Sequence, residues 1–476
     1  VPGAVCRLVS ALFIRKTMEE HQMRKRMVLP ILAALMVLAL CAPAVAAGSY
    51  PQNGQFMVGG DQIPTEGYQA PTLTSADYEA MYPVASRDLT AFDLQQVGTS
   101  GPSDSWEQFA KDVQHTGFAT GPAPDTNTLA WSADIKALGA SSTVFADGKV
   151  FVYNGYVGFD GSGDTNLSAL DECTGQVLWN TSIPQPDWGS WSSPAYHNGF
   201  VYTSTANETK KINATDGSYV WNFSTPSGSS SCNGGPAIAD GLVFCSDWDG
   251  GHYYCLYEEN GTIKWTFNVV GYAQGTPAYD DGAVYLTSWS SGGHVYAVNA
   301  ETGAQIWHNG TLAQNCCGSA SVAGNLVYVT TYNFGGNGEI AALSKATGEI
   351  IWQQPIQRTD STPAIAYDKV YVTGGCEGFS PHQTYCFDAL TGTPIWATNT
   401  TYNIGGWTCS VAVADGKVYV GGESSNGTLF NYDRTFALNA STGNIVWFYP
   451  QGGATPSVHD GRVFTVGNNG VLYAFG

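Results

Sequence analysis

The sequence predicts an all-β protein: an eight-bladed β-propeller of four-stranded antiparallel blades, closed by an N-terminal strand around Trp131. Three observations carry this. A glycine followed four residues later by a tryptophan recurs at Gly175/Trp179, Gly217/Trp221, Gly261/Trp265, Gly303/Trp307, Gly348/Trp352, Gly392/Trp396 and Gly443/Trp447, with successive glycines 42 to 51 residues apart. A period in the forties built from short strands and turns is the mark of propeller blades. Runs such as Lys149-Val150-Phe151-Val152-Tyr153 alternate like half-buried strands. The pairs Asp147-Gly148, Asn198-Gly199, Asp240-Gly241, Asp281-Gly282, Asp415-Gly416 and Asp460-Gly461 supply the positive φ of two-residue hairpins. These aspartates are therefore read as turn formers, not as a metal array.

Residues 1–47 read as a leader. Met23 is a natural start, so 1–22 look like an over-extended reading frame. Arg24-Lys25-Arg26, the apolar stretch 28–40 and Ala44-Val45-Ala46 follow the order of a secretory signal, with a retained anchor helix as the rival. Export would leave no transmembrane segment after cleavage. Residues 48–105 lack periodicity and are rich in Gly, Pro, Gln and Thr, as in an extended arm or linker. The propeller occupies 106–476.

Within it, eight inner-strand sets begin near Ser141, Ser192, Gly235, Thr276, Ser319, Thr362, Ser410 and Thr455, but only seven docking tryptophans follow them. The last set ends at Gly476, where its outer strand should begin. The segment Thr128-Leu129-Ala130-Trp131-Ser132 looks like an outer strand without a blade, and it is assigned to close the ring. Closure removes the exposed edges of an open sheet. Trp131, Trp179, Trp221, Trp265, Trp307, Trp352, Trp396 and Trp447 are structural wedges between blades, each needing one acceptor for its N–H.

The phrase Trp106-Glu107-Gln108-Phe109-Ala110-Lys111-Asp112-Val113-Gln114-His115-Thr116-Gly117 resembles the opening of pyrroloquinoline-quinone-type (PQQ-like) β-propellers. Ala169-Leu170-Asp171, then Thr174-Gly175 to Trp179, resembles their docking phrase, as does Ala297 to Trp307 with Asn299 in the aspartate place. The resemblance covers about 106–476. It implies a propeller that either carries PQQ and calcium as a dehydrogenase or serves without cofactor as an interaction platform.

Chemistry would sit where the loops entering the inner strands converge on one channel mouth. Those loops hold Trp188, Trp191, Cys232, Asn233, Tyr272, Gln274, Cys316, Cys317, Arg358, Asp360, Trp407 and Cys409. Such a ring suits a planar or peptide ligand; the alternative is a self-packed plug. Cys316, Cys317, Trp191, Trp407, Arg358 and Asp360 are the cofactor-site candidates. The resemblance implies a Cys-Cys pair over the PQQ ring in quinoprotein alcohol dehydrogenases, and Cys316-Cys317 matches it in kind, either as a vicinal disulfide or with each thiol placed elsewhere. The Cys245/Cys255 and Cys376/Cys386 pairs are read as hairpin staples. Metal binding is the rival there, since His252 and His382 lie inside the loops, but no zinc-like spacing appears. No Ser/His/Asp or Cys/His catalytic arrangement is readable.

The formal charge is −20, and −24 once the six basic and two acidic residues of 1–47 are discounted. So acidic a chain excludes a nucleic-acid partner. Asn-x-Ser/Thr occurs at Asn166, Asn180, Asn207, Asn213, Asn222, Asn260, Asn309, Asn399, Asn426 and Asn439, many beside turns, as in a glycoprotein. The expectation is an extracytoplasmic binding or scaffold propeller without catalysis, whose partner is another protein or an envelope component. The alternatives are a PQQ- and calcium-dependent dehydrogenase of an alcohol or sugar, and a structural envelope glycoprotein.

Overall fold

The computed structural model describes residues 105–476 except 137–140, 156–164, 186–192, 229–233, 291, 334–335 and 424–430. The leader, the arm, Trp188, Trp191, Cys232, Asn233 and Asn426 lie outside the described residues. Eight sheets follow one another round a ring. The first blade runs from inner to outer strand as Val144–Ala146, Lys149–Asn154, Thr165–Asp171 and Val177–Ile183. The other inner strands are Ala195–His197, Ala237–Ala239, Tyr272–Asp280, Ser321–Ala323, Ala364–Ala366, Ala412–Ala414 and Ser457–His459. The eighth blade takes its outer strand, Leu129–Asp134, from the start of the domain; it pairs antiparallel with Val471–Phe475, Trp131 opposite Ala474. The closing strand is therefore where the sequence placed it. Among the described residues no helix is long and apolar enough to cross a membrane.

The hairpin pairs behave as turn chemistry requires. Asp147, Asn198, Asp240, Asp281, Asp415 and Asp460 all have φ of 45–54°, and each is followed by a left-handed glycine. In the sixth blade, Tyr367 and Asp368 do the same work without glycine, at φ 54° and 58°. Where an Asp or Asn opens the outer turn it is a local acceptor: Asp171 Oδ1 accepts from the Thr174 N–H at 2.8 Å, Asn299 Oδ1 from Thr302 at 2.9 Å and Asp388 Oδ1 from Thr391 at 2.8 Å.

The core lies between blades, not within them. Val144, Phe151 and Leu167 of the first blade, for example, share one buried cluster with Tyr196, Val201 and Ile212 of the second. Each docking indole donates to a backbone carbonyl across such a seam: Trp131 to Glu172, Trp179 to Ala214, Trp221 to Glu258, Trp265 to Ala300, Trp307 to Lys345, Trp352 to Ala389 and Trp396 to Ala440, at 2.8–3.3 Å. Seven of these acceptors sit in the outer turn of the following blade. The eighth blade has no such turn, because its outer strand arrives from elsewhere. There Pro124 O substitutes, accepting from Trp447 at 3.0 Å and from the Tyr419 hydroxyl at 3.1 Å. The repeated glycine serves the same seam from the other side. A Cβ on Gly217, Gly261, Gly303 or Gly392 would lie within 2.7 Å of the indole of Trp179, Trp221, Trp265 or Trp352. The glycine and tryptophan of one repeat thus face different neighbours.

Residues 106–124 form a strap across the channel floor. An amide of one inner strand after another donates to it: Phe145 to Trp106 O, Tyr196 to Glu107 O, Tyr279 to Val113 O, Val322 to Gln114 O, Ile365 to Thr116 O and Val413 to Gly117 O, at 2.7–2.9 Å. The third blade is met by a side chain. Gln108 Nε2 donates to Ile238 O at 2.9 Å, and Ile238 N donates back to Gln108 Oε1 at 3.0 Å, as a strand partner would. Phe118–Ala119 then adds a short parallel strand to Ala412–Ala414. The strap satisfies edge amides that water cannot reach.

The two hairpin staples are corrected by strand register. Cys245 lies opposite Tyr254, and Cys255 opposite Phe244. Neighbouring residues of a strand face opposite sides of the sheet, so the two thiols enter different seams, with Tyr254 and with Trp265 respectively. Cys386 lies opposite Tyr371, five residues along the strand from Cys376, which lies opposite Ser380. At about 3.3 Å per residue that offset far exceeds disulfide reach. All eight described cysteines are free thiols.

Two predictions follow from the strap. Gln108→Ala leaves both backbone groups of Ile238 unpaired in a buried site, so unfolding free energy should fall by about 1–3 kcal/mol or more in a urea titration. His115 is buried, its Nδ1 at 2.8 Å from Ala320 O, and desolvation holds its pKa down at about 4. The folded state therefore resists a proton that the unfolded chain accepts below its ordinary value of 6.5. Stability from this group is full above that value and is lost as pH falls toward 4, by roughly 3 kcal/mol in all. His115→Gln should flatten that part of the melting-temperature profile relative to the parent.

Candidate functional site

The entry-loop mouth is built on a collar of hydroxyls. At the start of successive inner strands a backbone amide donates to the Ser or Thr of the next blade: Ser142 to Ser193, Gly235 to Thr276, Thr276 to Ser319, Thr362 to Ser410 and Ser410 to Thr455, at 2.7–3.2 Å. The sequence marked these positions only as strand entries. Their shared Ser/Thr identity at one phase of the repeat was the available signal. Strap residue Phe109 rises beneath the collar. With Cys317, Asp360, Thr408 and other collar residues it encloses a space of only about 10 Å³ for a water centre, room for about one water.

Four of the six cofactor-site candidates, Arg358, Asp360, Cys317 and Trp407, come together here. Arg358 is buried, and its guanidinium lies 3.8 Å from the Trp407 ring centre, 4.6 Å from that of Phe379 and 4.9 Å from that of Tyr332. A cation inside such a box gains quadrupole attraction while remaining shielded from water. Tyr332 meets Trp407 edge-on at 5.4 Å. Backbone bonds lock the loops together: Asp360 N to Trp407 O at 3.1 Å, and Asn315 N to Tyr332 O at 3.0 Å. Phe379 and Tyr332 were not foreseen, since neither lies in an entry loop.

Asp360 lines the cavity, and its Oδ1 has no hydrogen-bond partner among the described residues. Desolvation holds its pKa well above the usual carboxylate range, against the pull of Arg358. Cys316 and Cys317 are buried beside it as thiols. Burial pushes the Cys316 thiol up to about 12 and holds that of Cys317 well above the ordinary thiol range. Neither is an activated nucleophile at neutral pH. Trp191 lies outside the described residues. The two loop histidines take carboxylates instead of joining cysteines: His252 Nδ1 lies 2.9 Å from Asp247 Oδ2, and His382 Nε2 lies 2.9 Å from Glu423 Oε2. No group of three metal-ligating side chains occurs among the described residues.

The residues that would flank a quinone can be tested for fit. A planar cofactor would stack on the Trp407 face, at the distance the guanidinium of Arg358 now holds. The enclosed space bordered by Cys317 and Asp360 holds about one water. In this arrangement the described residues do not form a slot for PQQ.

A family model described as "Outer membrane protein assembly factor BamB" matches residues 119–231, 206–380 and 380–476. The chain belongs to that family. One relative is the outer membrane protein assembly factor BamB of Yersinia pestis, 24% identical over 274 residues, which are 54% of this chain and 66% of that protein. The match thus spans just under two thirds of the relative's length. Among solved structures, BamB from Moraxella catarrhalis aligns with a TM-score of 0.56 at 16% identity, covering 73% of this chain and 97% of that one. The quinohemoprotein alcohol dehydrogenase ADHIIG from Pseudomonas putida HK5 aligns at 0.61 and 14% identity, covering 80% and 83%. At such identities the two structures share the fold with this chain, and the BamB family comprises the propeller described above.

Asp360 yields the prediction for this site. A carboxyl whose folded pKa is raised holds its proton longer when folded, so its contribution to stability falls as pH rises above the unfolded value of about 3.9. Asp360→Asn keeps the shape and removes the titration. It should raise the melting temperature at neutral pH and leave it nearly unchanged at pH values where Asp360 is already protonated.

Proposed function

We propose that the protein is a non-catalytic binding propeller acting on the extracytoplasmic side, with the entry-loop mouth as its contact surface for another protein. The observation that carries this reading is Arg358 stacked on Trp407, which fills the mouth with the chain's own side chain. A mouth filled in this way presents a surface instead of a pocket. The net charge of −20 suits a soluble acidic scaffold, and the BamB relatives, named as outer membrane protein assembly factors, are in keeping with a role in assembly. The resemblance to quinoprotein dehydrogenases supports a second reading, in which Cys316, Cys317 and Asp360 would border PQQ. That reading needs Arg358 to leave the Trp407 face.

Equilibrium dialysis with PQQ and calcium, followed by an absorption spectrum, separates the two. The binding reading expects no retained quinone absorbance for the parent protein or for Arg358→Ala, together with cross-links to a protein partner from a photoreactive residue at position 407 and none from one at 439. Stoichiometric PQQ retention by the parent, or absence of any cross-link from position 407 in cells, overturns it.

A further inference from the structure

The Asn-x-Ser/Thr motifs play no part in the site, and the structure sorts them. Asn309 is buried, and its amide donates to Gly348 O at 2.6 Å, so no enzyme reaches it. Asn180 and Asn222 occupy the same place in consecutive blades, one residue after the docking tryptophan, on the outer strands Val177–Ile183 and Tyr219–Ser224. Trp179 and Trp221 turn toward the seam, so alternation turns Asn180 and Asn222 outward, and both are exposed. Two residues earlier, at the β-bulge of each strand, stand Leu178 and Val220, each 48% exposed. Asn222 Nδ2 reaches the half-buried Glu208 Oε1 at 3.2 Å and Ser224 Oγ at 3.5 Å, contacts at the surface that solvent replaces. In the third blade Asn260 sits in an exposed turn held by its carboxamide oxygen, which accepts from Thr262 N at 3.0 Å and Thr262 Oγ1 at 2.7 Å. The turn uses the oxygen and leaves the nitrogen out of its bonding.

We propose that Asn180, Asn222 and Asn260 carry N-linked glycans that cover the outer strands of the first three blades. At each site the asparagine nitrogen forms a C–N bond to the anomeric carbon of an oligosaccharide delivered on a lipid pyrophosphate. The lipid pyrophosphate leaves, and the nitrogen gives up one proton. The outer strand of every blade is an unpaired edge, and an edge with exposed apolar side chains recruits other strands. A bulky hydrophilic group beside Leu178 and Val220 blocks that approach. The proposal rests on the extracytoplasmic reading, which fractionation of the source cells judges separately: recovery of the protein in the cytosol overturns that reading.

The glycans are tested on protein taken from the extracytoplasmic fraction. Peptides are mapped by mass spectrometry before and after enzymatic glycan release in ¹⁸O-water, which leaves a labelled aspartate at each former site. Label at positions 180, 222 and 260, with Asn309 unlabelled, is the expected result. Unmodified peptides at all three positions overturn the proposal. Asn180→Gln, Asn222→Gln and Asn260→Gln combined should remove the added mass and raise sedimenting aggregate several-fold at unchanged melting temperature. Equal solubility of that variant overturns the covering role.

Discussion

Inner-strand amides at a propeller's axis are edge donors, and in a narrow channel water cannot satisfy them all. Here one stretch of chain, 106–117, answers seven blades in sequence order, six through its own carbonyls and one through Gln108. The same stretch continues into Pro124, which receives the Trp447 indole, and into Leu129–Asp134, which completes the eighth blade. Axis and rim are thus closed by one continuous piece, and loss of its anchorage would open both.

The repeats supply the complementary part. Seven seams are built from a tryptophan of one blade whose indole donates to a carbonyl in the outer turn of the next, beside that turn's glycine, and Pro124 takes the carbonyl's place in the eighth. The φ of about 70° at those glycines and the indole lying where a Cβ would go both forbid a side chain. Hydrophobic burial follows this geometry, since the buried clusters straddle seams. The entry-loop mouth inherits its rigidity from these two constraints and from the hydroxyl collar.

Blade number, hairpin turns, docking tryptophans and the closing strand were all legible in the sequence, because each depends on neighbours a few residues away or on a simple period. What escaped depends on register and on distant partners. Cys245 and Cys255 have the spacing of a hairpin pair, but one residue of register sends them to opposite faces. The strap phrase could be recognised, yet its partners lie between 39 and 296 residues away, from Trp106–Phe145 to Gly117–Val413. The site candidates Arg358, Asp360, Cys317 and Trp407 are grouped in the sequence by their place in the repeat, and in the structure Arg358 stacks on Trp407. That Phe379 and Tyr332 complete a box around Arg358 follows only from how two middle strands end at the same mouth.

The strap also acts as a gauge. Seams alone place no ceiling on the number of repeats, because every tryptophan fits the glycine of whichever blade comes next. A strap of fixed length touching one blade after another does set a ceiling: its contour must match the circumference of the axis. Residues 106–117 lace seven inner strands in chain order, and Leu129–Asp134 then supplies the outer strand of the eighth, so one segment at the head of the domain meets every blade of the ring.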